Sequence, residues 1–216
     1  MTPVEETPEA LRRLEEIGGV LDVALFDDAA GRDPAEEGRA GIAAALARLA
    51  RGWHFEWPFD PVPLAAVSPR RLTREAFLGD WCDPATGALL VRGAYTTRSG
   101  ETLTDPPYDR LEAAGLRSGG GPIPNLWAPG GFAYAFSHPP YRLEGEPGEV
   151  GRLFRQVCNL LLPPRLDAEI LDWGGPHLPH VSRYFEAGAE WWGAFAWTIH
   201  VPATRRLAVV LASATD

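Results

Sequence analysis

The chain of 216 residues contains no lysine, so its 20 basic residues are all arginine. A P-loop needs a lysine at the β- and γ-phosphates, pyridoxal enzymes need a Schiff-base lysine, and protein kinases need a lysine on a strand. The absence of lysine therefore excludes these three mechanisms.

Leader segments, long apolar runs and cysteines are missing or few. The first residues lack the charged and apolar pattern of a signal peptide, and no apolar run reaches the roughly 18 residues of a membrane span. Cys82 and Cys158 lie 76 positions apart, which fits neither a disulfide framework nor a zinc knuckle. We therefore expect a soluble cytoplasmic protein with no membrane association and no bound cofactor.

Acidic residues are in excess and concentrated at one end. The net charge is −9, and residues 1–60 hold 13 acids against 6 arginines. Such a surface repels the phosphates of nucleic acids and anionic lipids, which argues against DNA, RNA and membrane binding. A basic protein is the partner that this charge would favour, and the alternative is an acidic face that serves solubility.

Three segments predict helices by their apolar spacing and end signals. In the first, Thr7 is the expected N-cap and Gly18 the stop; in the second, Asp33 is the N-cap, Glu36 completes a capping box and Gly52 ends the helix. The three segments read TPEALRRLEEIGG, DPAEEGRAGIAAALARLARG and GEVGRLFRQVCNLLLPP, and shorter helices are expected over residues 70–78 and 108–114.

Strands are predicted where apolar residues alternate or run together between turn signals, as in VLDVALFD, WHFEW, ALLVRGAYTT, FAYAF and AEILDW. No repeat or linker divides the chain, and residues 98–131 form a long loop rich in glycine and proline. The predicted fold class is α+β: one domain over residues 1–216, with a mostly antiparallel sheet and three or four helices.

The segments WWGAFAWTIHV and LAVVLASAT predict a C-terminal β-hairpin closed by residues 202–206. On the first strand, residues 191, 193, 195, 197, 199 and 201 share one face, which reads Trp, Gly, Phe, Trp, Ile and Val and belongs in the core. The opposite face holds Trp192, Ala194, Ala196, Thr198 and His200, and its small residues would let a helix or another strand approach closely.

Chemistry could come from the segment DWGGPHLPH, which holds Asp172, His177 and His180. Imidazole and carboxylate groups can ligate zinc or iron, although the spacing is not that of the zincin helix, and Pro179 interrupts a helix there. Ordinary hydrogen bonding of two loop histidines is the alternative.

Other candidates are weaker. Glu56 and Glu190 lie among tryptophans and could form the carboxylate pair of a glycosidase. Ser137 precedes His138, but in an extended chain adjacent side chains point apart. Cys82 lies between acids that disfavour its thiolate, and Cys158 has the position of an inert packed thiol.

Three functional hypotheses follow. The first is a non-enzymatic module that binds a basic protein through an acidic N-terminal surface, as a bacterial toxin-neutralising immunity protein would. The second is a hydrolase, metal-dependent or not, whose catalytic candidates are Asp172, His177, His180 and Glu56. The third is a small-molecule or carbohydrate binder with Trp127 and Trp192 in a cleft. The acidic surface is assigned to Asp22, Asp27, Asp28, Glu36 and Glu37, and monomer and dimer both stay open.

Overall fold

The computed structural model describes residues 1–31, 33–52, 61–97, 99–114, 131–140, 143–189 and 192–213. Within these residues the strands are β1 (Thr2–Pro3), β2 (Leu21–Asp27), β3 (Arg70–Leu72), β4 (Ala94–Thr96), β5 (Thr102–Thr104), β6 (Glu169–Asp172), β7 (Ala194–Val201) and β8 (Arg206–Ser213). The helices are α1 (Glu9–Glu16), α2 (Pro34–Gly52), α3 (Pro61–Ala66), α4 (Arg74–Leu78), α5 (Tyr108–Ala114), α6 (Gly131–Ser137), α7 (Pro147–Leu161) and α8 (Arg183–Ala189). None of the helices in this part of the chain has the length and apolar composition needed to cross a lipid bilayer.

Six strands form one antiparallel sheet in the order β1-β2-β8-β7-β6-β3, and β4 and β5 form a separate pair. The predicted hairpin is present, because β7 and β8 pair from Ala194 opposite Ser213 to Val201 opposite Arg206. On its other side β8 pairs with β2, so the last strand in the sequence lies in the middle of the sheet. The α+β class, the mostly antiparallel sheet and the C-terminal hairpin are confirmed, while the described residues contain eight helices, more than the three or four expected.

Hydrophobic residues cover both faces of this sheet. One face contributes Ala208, Val210 and Ala212 of β8 to a core that also contains α1, α6 and α7 residues. The alternate residues Leu207, Val209 and Leu211 contribute to a second core with α2 and α8. The strict alternation along β8 follows from the two-residue period of a strand.

Helix α2 lies close to the sheet, as the small residues of β7 predicted. Asp33 caps the helix, since its Oδ1 accepts the N–H groups of Ala35 and Glu36 at 3.1 and 3.0 Å. A Cβ atom on Gly38 would lie 3.0 Å from the Thr198 hydroxyl oxygen. The helix can therefore lie against β7 only because position 38 carries no side chain.

Two predicted elements are wrong. FAYAF is helical, within α6, and not a strand: all seven residues from Gly131 to Ser137 are buried. A helix enclosed on every side displays no polar face, so its sequence lacks the 3.6-residue period. Residues 70–72 form β3 and not the start of a helix, because they pair with residues 170–172 of β6.

Smaller corrections concern element ends. Pro8, not Thr7, occupies the N-cap position of α1. The Glu37 carboxylate, rather than Glu36, reaches back across the start of α2 and accepts the Gly31 N–H. The predicted strand ALLVRGAYTT is reduced to β4 and short bridges at Leu89 and Leu90. The predicted strand WHFEW lies outside the described residues.

Candidate functional site

A cavity of about 760 Å³ lies between α4, the turn that follows it and α7, and it is open to solvent on one side. We call it the α4–α7 cavity. It is lined by Arg74, Glu75, Leu78, Gly79, Asp80, Cys82, Asp83, Pro84, Thr86, Gly87, Leu90, Arg92, Arg155, Cys158 and Asn159. Small-molecule sites in proteins have volumes of roughly 300 to 1,000 Å³.

The first wall is the short helix α4 with its two ends fixed. The Thr73 hydroxyl accepts the Ala76 N–H at 3.1 Å and caps the helix. Gly79 ends it at φ +76°, a backbone conformation that suits glycine. The chain therefore leaves α4 abruptly, and Gly79 and Asp80 continue the lining of the cavity.

The second wall is the turn from Asp83 to Gly87, which the sequence DPATG predicted. The Asp83 carboxylate accepts the Ala85 N–H at 3.0 Å and the Thr86 hydroxyl at 2.5 Å, and these bonds lower the pKa of Asp83. Gly87 closes the turn at φ +68° with its N–H on the Asp83 carbonyl oxygen. The Asp83 carboxylate therefore makes its hydrogen bonds within its own turn.

The third wall is one face of α7. Arg155, Cys158 and Asn159 follow the i, i+3, i+4 spacing that places side chains on the same side of a helix. The opposite side of α7 buries Leu153, Phe154 and Val157 in the core. Amphipathicity of α7 therefore directs its polar face towards the cavity.

Charges of both signs line the cavity in equal number, with three arginines against Glu75, Asp80 and Asp83. Arg92 forms an ion pair with Asp105 at 2.9 Å, and Arg155 lies 3.7 Å from Asp109. These are half-exposed pairs that solvent screens, so they hold the guanidinium groups only weakly.

Arg74 is held differently. Its guanidinium donates to the carbonyl oxygens of Leu162 and Pro163, at 3.2 and 3.3 Å, just beyond the end of α7. Among the described residues no carboxylate lies within 4 Å of the Arg74 guanidinium. Its positive charge is therefore only partly compensated at the cavity.

Both cysteines line this cavity, which their separation in the sequence did not reveal. Burial, with a smaller contribution from Asp83, raises the pKa of the Cys82 thiol to about 11. Burial also raises the pKa of Cys158, and the nearby Cys82 adds to the effect. Both side chains are free thiols and are protonated at neutral pH, as the sequence predicted for unreactive cysteines.

Among the described residues, Asp172, His177 and His180 are not grouped as the ligands of a metal ion. The Asp172 carboxylate bonds the Arg70 guanidinium and the Gly174 N–H, each at 2.9 Å, and both histidines are exposed at a single 3-10 turn. Across the described residues no group of three or more histidine, cysteine, aspartate or glutamate side chains is placed to hold a metal ion. The structure therefore does not bring these three residues together as ligands.

Two of the five acids assigned to the partner-binding surface are engaged inside the molecule. The Asp22 carboxylate accepts the Tyr184 hydroxyl at 2.7 Å. Both Glu37 oxygens accept the Gly31 N–H, at 2.9 and 3.0 Å. Their carboxylates are occupied by groups of the same chain.

The other three acids lie at the surface. Asp27 bonds Arg206 at 3.0 Å, Asp28 lies 3.9 Å from Arg205, and Glu36 is exposed at the start of α2. The two aspartates are therefore partly neutralised by the arginines that follow the hairpin turn.

Trp192 is a core residue. It is 5% exposed, contacts the rings of Tyr134 and Phe195, and donates its indole N–H to the His138 carbonyl oxygen at 2.5 Å. The other predicted ligand tryptophan, Trp127, and the predicted carboxylates Glu56 and Glu190 lie outside the described residues.

Compared with known proteins, the chain matches no protein-family model, no curated protein and no solved structure. The sequence does not predict the α4–α7 cavity. The spacing of Arg155, Cys158 and Asn159 marked a polar stripe on a predicted helix, but no local signal placed α4 and the Asp83 turn opposite that stripe.

Proposed function

We propose that the chain is a binding protein for a small polar molecule, which it holds in the α4–α7 cavity. The observation that supports this proposal is an open cavity of about 760 Å³ with charged groups, an amide and two thiols along its walls. Binding clefts combine such a volume with a few polar groups that orient the ligand. The ligand class is the small molecule expected from the sequence, but the site differs, because Trp192 does not line this cavity and Trp127 lies outside the described residues.

The balance of charge in the lining favours a ligand with both an anionic and a cationic group. A guanidinium group can bind a carboxylate through two parallel hydrogen bonds. Arg74 and Arg155 line the cavity and offer guanidinium groups to the carboxylate of a ligand. Glu75 and Asp80 offer carboxylates to an ammonium group. A simple anion would satisfy only half of these groups.

Binding of a basic protein through an acidic N-terminal surface is supported less well. Asp22 and Glu37 bond groups of the same chain, and Asp27 and Asp28 lie beside arginines. Charged side chains at the surface contribute mainly to the rate at which a protein partner associates, and salt screens their effect.

Side-chain amide NMR tests the proposal directly, because the chain has two asparagines and one glutamine. Asn159 lines the cavity, while Gln156 is exposed three residues earlier on α7 and does not line it. Titration with γ-aminobutyrate, which carries both charges, should shift the Asn159 amide signals in a saturable way and leave those of Gln156 in place. Succinate and putrescine, with charges of one sign, should shift them less.

A matched pair of variants on α7 provides the control. Arg155→Gln removes a lining guanidinium and should weaken the γ-aminobutyrate response at least tenfold, whereas Arg152→Gln changes an exposed arginine one turn earlier and should leave it unchanged. If none of the three probes shifts the Asn159 amide at millimolar concentration, or if both variants respond like the parent chain, the proposal is wrong.

A further inference from the structure

Ser137 and His138, adjacent at the end of α6, are joined by a hydrogen bond. The Ser137 Oγ lies 2.7 Å from the His138 Nδ1, contrary to the expectation that these side chains point apart. That expectation assumed an extended chain, and the helix end places both groups on one side. The Ser137 hydroxyl also donates to the Ala133 carbonyl oxygen, at 2.6 Å.

This arrangement fixes the tautomer of His138. A hydroxyl has a single proton, and Ser137 donates it to Ala133, so its oxygen must accept from the imidazole. Nδ1 therefore carries the proton, and Nε2 keeps an unshared electron pair. The hydrogen bond at one ring nitrogen decides the state of the other.

The ring is held in place by aromatic neighbours. The Trp81 ring lies 4.1 Å from it between centroids, and the Tyr134 ring lies nearly parallel at 5.7 Å. Trp81 and Tyr134 are buried, whereas His138 is only half-buried, so it is the member of this group that reaches solvent. The indole N–H of Trp192 fixes the main chain at the His138 carbonyl oxygen.

The imidazole also stays neutral. Burial lowers the pKa of His138 to about 4, with no contribution from a charged group. Tyr134 is the titratable side chain whose ring contacts it among the described residues. At neutral pH the ring thus presents an oriented acceptor without a charge.

We propose that His138 forms a second binding site, in which its unprotonated Nε2 accepts a hydrogen bond from a hydroxyl or N–H group of a small ligand. This site is separate from the α4–α7 cavity. Asp80 and Cys82 line that cavity, while Trp81, between them, packs on His138. Binding of a ligand at His138 therefore does not depend on binding of a ligand in the α4–α7 cavity.

The first test is the tautomer, measured by long-range ¹H–¹⁵N correlation on the five imidazole rings of the chain. His138 should show a protonated Nδ1 and an unprotonated Nε2 at pH 7. Ser137→Ala should shift the ring towards the opposite tautomer, and Ser182→Ala, a change at a buried serine on the other side of the sheet, should not. A protonated Nε2 in the parent chain would overturn the proposal.

The second test uses phenol and anisole, which share a ring and differ in the donor hydroxyl. Phenol should move the His138 Nε2 resonance upfield in a saturable way at millimolar concentration, because the nitrogen accepts a hydrogen bond from the phenol hydroxyl, and anisole should not. His138→Gln identifies the signal by its loss. An equal effect of both compounds would indicate apolar contact alone, and no effect of either would mean that Nε2 is closed to ligands; either result overturns the proposal.

Discussion

Asp22 points into the protein and not outward. Its side chain shares a face of β2 with Ala24 and Phe26, which belong to the second core, and its carboxylate accepts the Tyr184 hydroxyl. Burial raises the pKa of Asp22 to about 6, and the hydrogen bond from Tyr184 opposes part of that rise. Asp22 therefore takes up a proton at a higher pH than an aspartate in water, and it is ionised at neutral pH.

The pKa of Asp22 makes the stability of the protein depend on pH. Because the folded-state pKa lies above the ordinary value of 3.8, this group stabilises the fold below about pH 4, and the contribution is lost as the pH rises through about 6. Between pH 4 and pH 7 the parent chain should lose up to roughly 3 kcal/mol of unfolding free energy relative to Asp22→Asn.

Urea unfolding at the two pH values measures this difference. Asp27→Asn, on the same strand but at the surface, is the control and should follow the parent chain. If the unfolding free energies of the parent chain and Asp22→Asn differ by the same amount at both pH values, the pKa of Asp22 is not raised in the folded protein.

At the scale of elements, the position of α2 depends on glycine. A Cβ atom at Gly38 would lie 2.6 Å from the Trp173 ring, which is fully buried and bonds the Thr198 hydroxyl at 3.0 Å. The ring cannot move without breaking this hydrogen bond or opening the core. The separation between helix and sheet is therefore set by the absence of one methyl group.

Gly38→Ala should therefore destabilise the protein by roughly 1 to 3 kcal/mol through overpacking, although alanine normally favours a helix interior. Thermal or urea unfolding gives the value. Ala44→Gly, at an exposed position of α2, is the matched control and should cost about 1 kcal/mol through helix propensity alone. A Gly38→Ala variant more stable than the parent chain would show that α2 can move away from the sheet.

Elements with a strong local pattern and clear end signals could be predicted from the sequence. Helix α7 has one polar and one apolar side, and the β7–β8 hairpin consists of two apolar runs of strand length on either side of a turn. Helix α6 and strand β3 were not predicted, because a fully buried helix has no polar side and a three-residue strand depends on its partner β6.

The candidate site could not be predicted from short stretches of the sequence. Its walls come from residues 74–92 and 155–159, which are distant in the sequence and meet only in the folded chain. Individual properties were still predicted correctly, such as the unreactive character of Cys158, because they depend on the helix that carries the residue.

At the scale of the whole molecule, the sheet separates two cores. Ile170 lies in the core with α1 and α7, Ile42 lies in the core with α2 and α8, and Ile199 is the direct partner of Ile170 across β6 and β7. Side chains on opposite faces share no contacts through the backbone of the sheet. Side chains on the same face pack against common neighbours.

Truncations on opposite faces should therefore be additive. Each of Ile170→Val and Ile42→Val should cost roughly 0.5 to 1.5 kcal/mol, and the double variant should equal their sum within about 0.5 kcal/mol. Ile170→Val with Ile199→Val should depart from the sum by at least about 0.5 kcal/mol. Chemical denaturation of the three single and two double variants gives these free energies. If both double variants depart from the sum of their single variants by the same amount, the two cores are not energetically separate.

The central place of β8 has a consequence for synthesis of the chain. Its partners β2 and β7 flank it, so β2 at residues 21–27 has no main-sheet neighbour other than β1 until residues 206–213 have been made. A growing polypeptide that stops at residue 205 holds an open sheet with both cores unfinished. The six-stranded sheet is therefore completed only after β8 has left the ribosome, late in the synthesis of the chain.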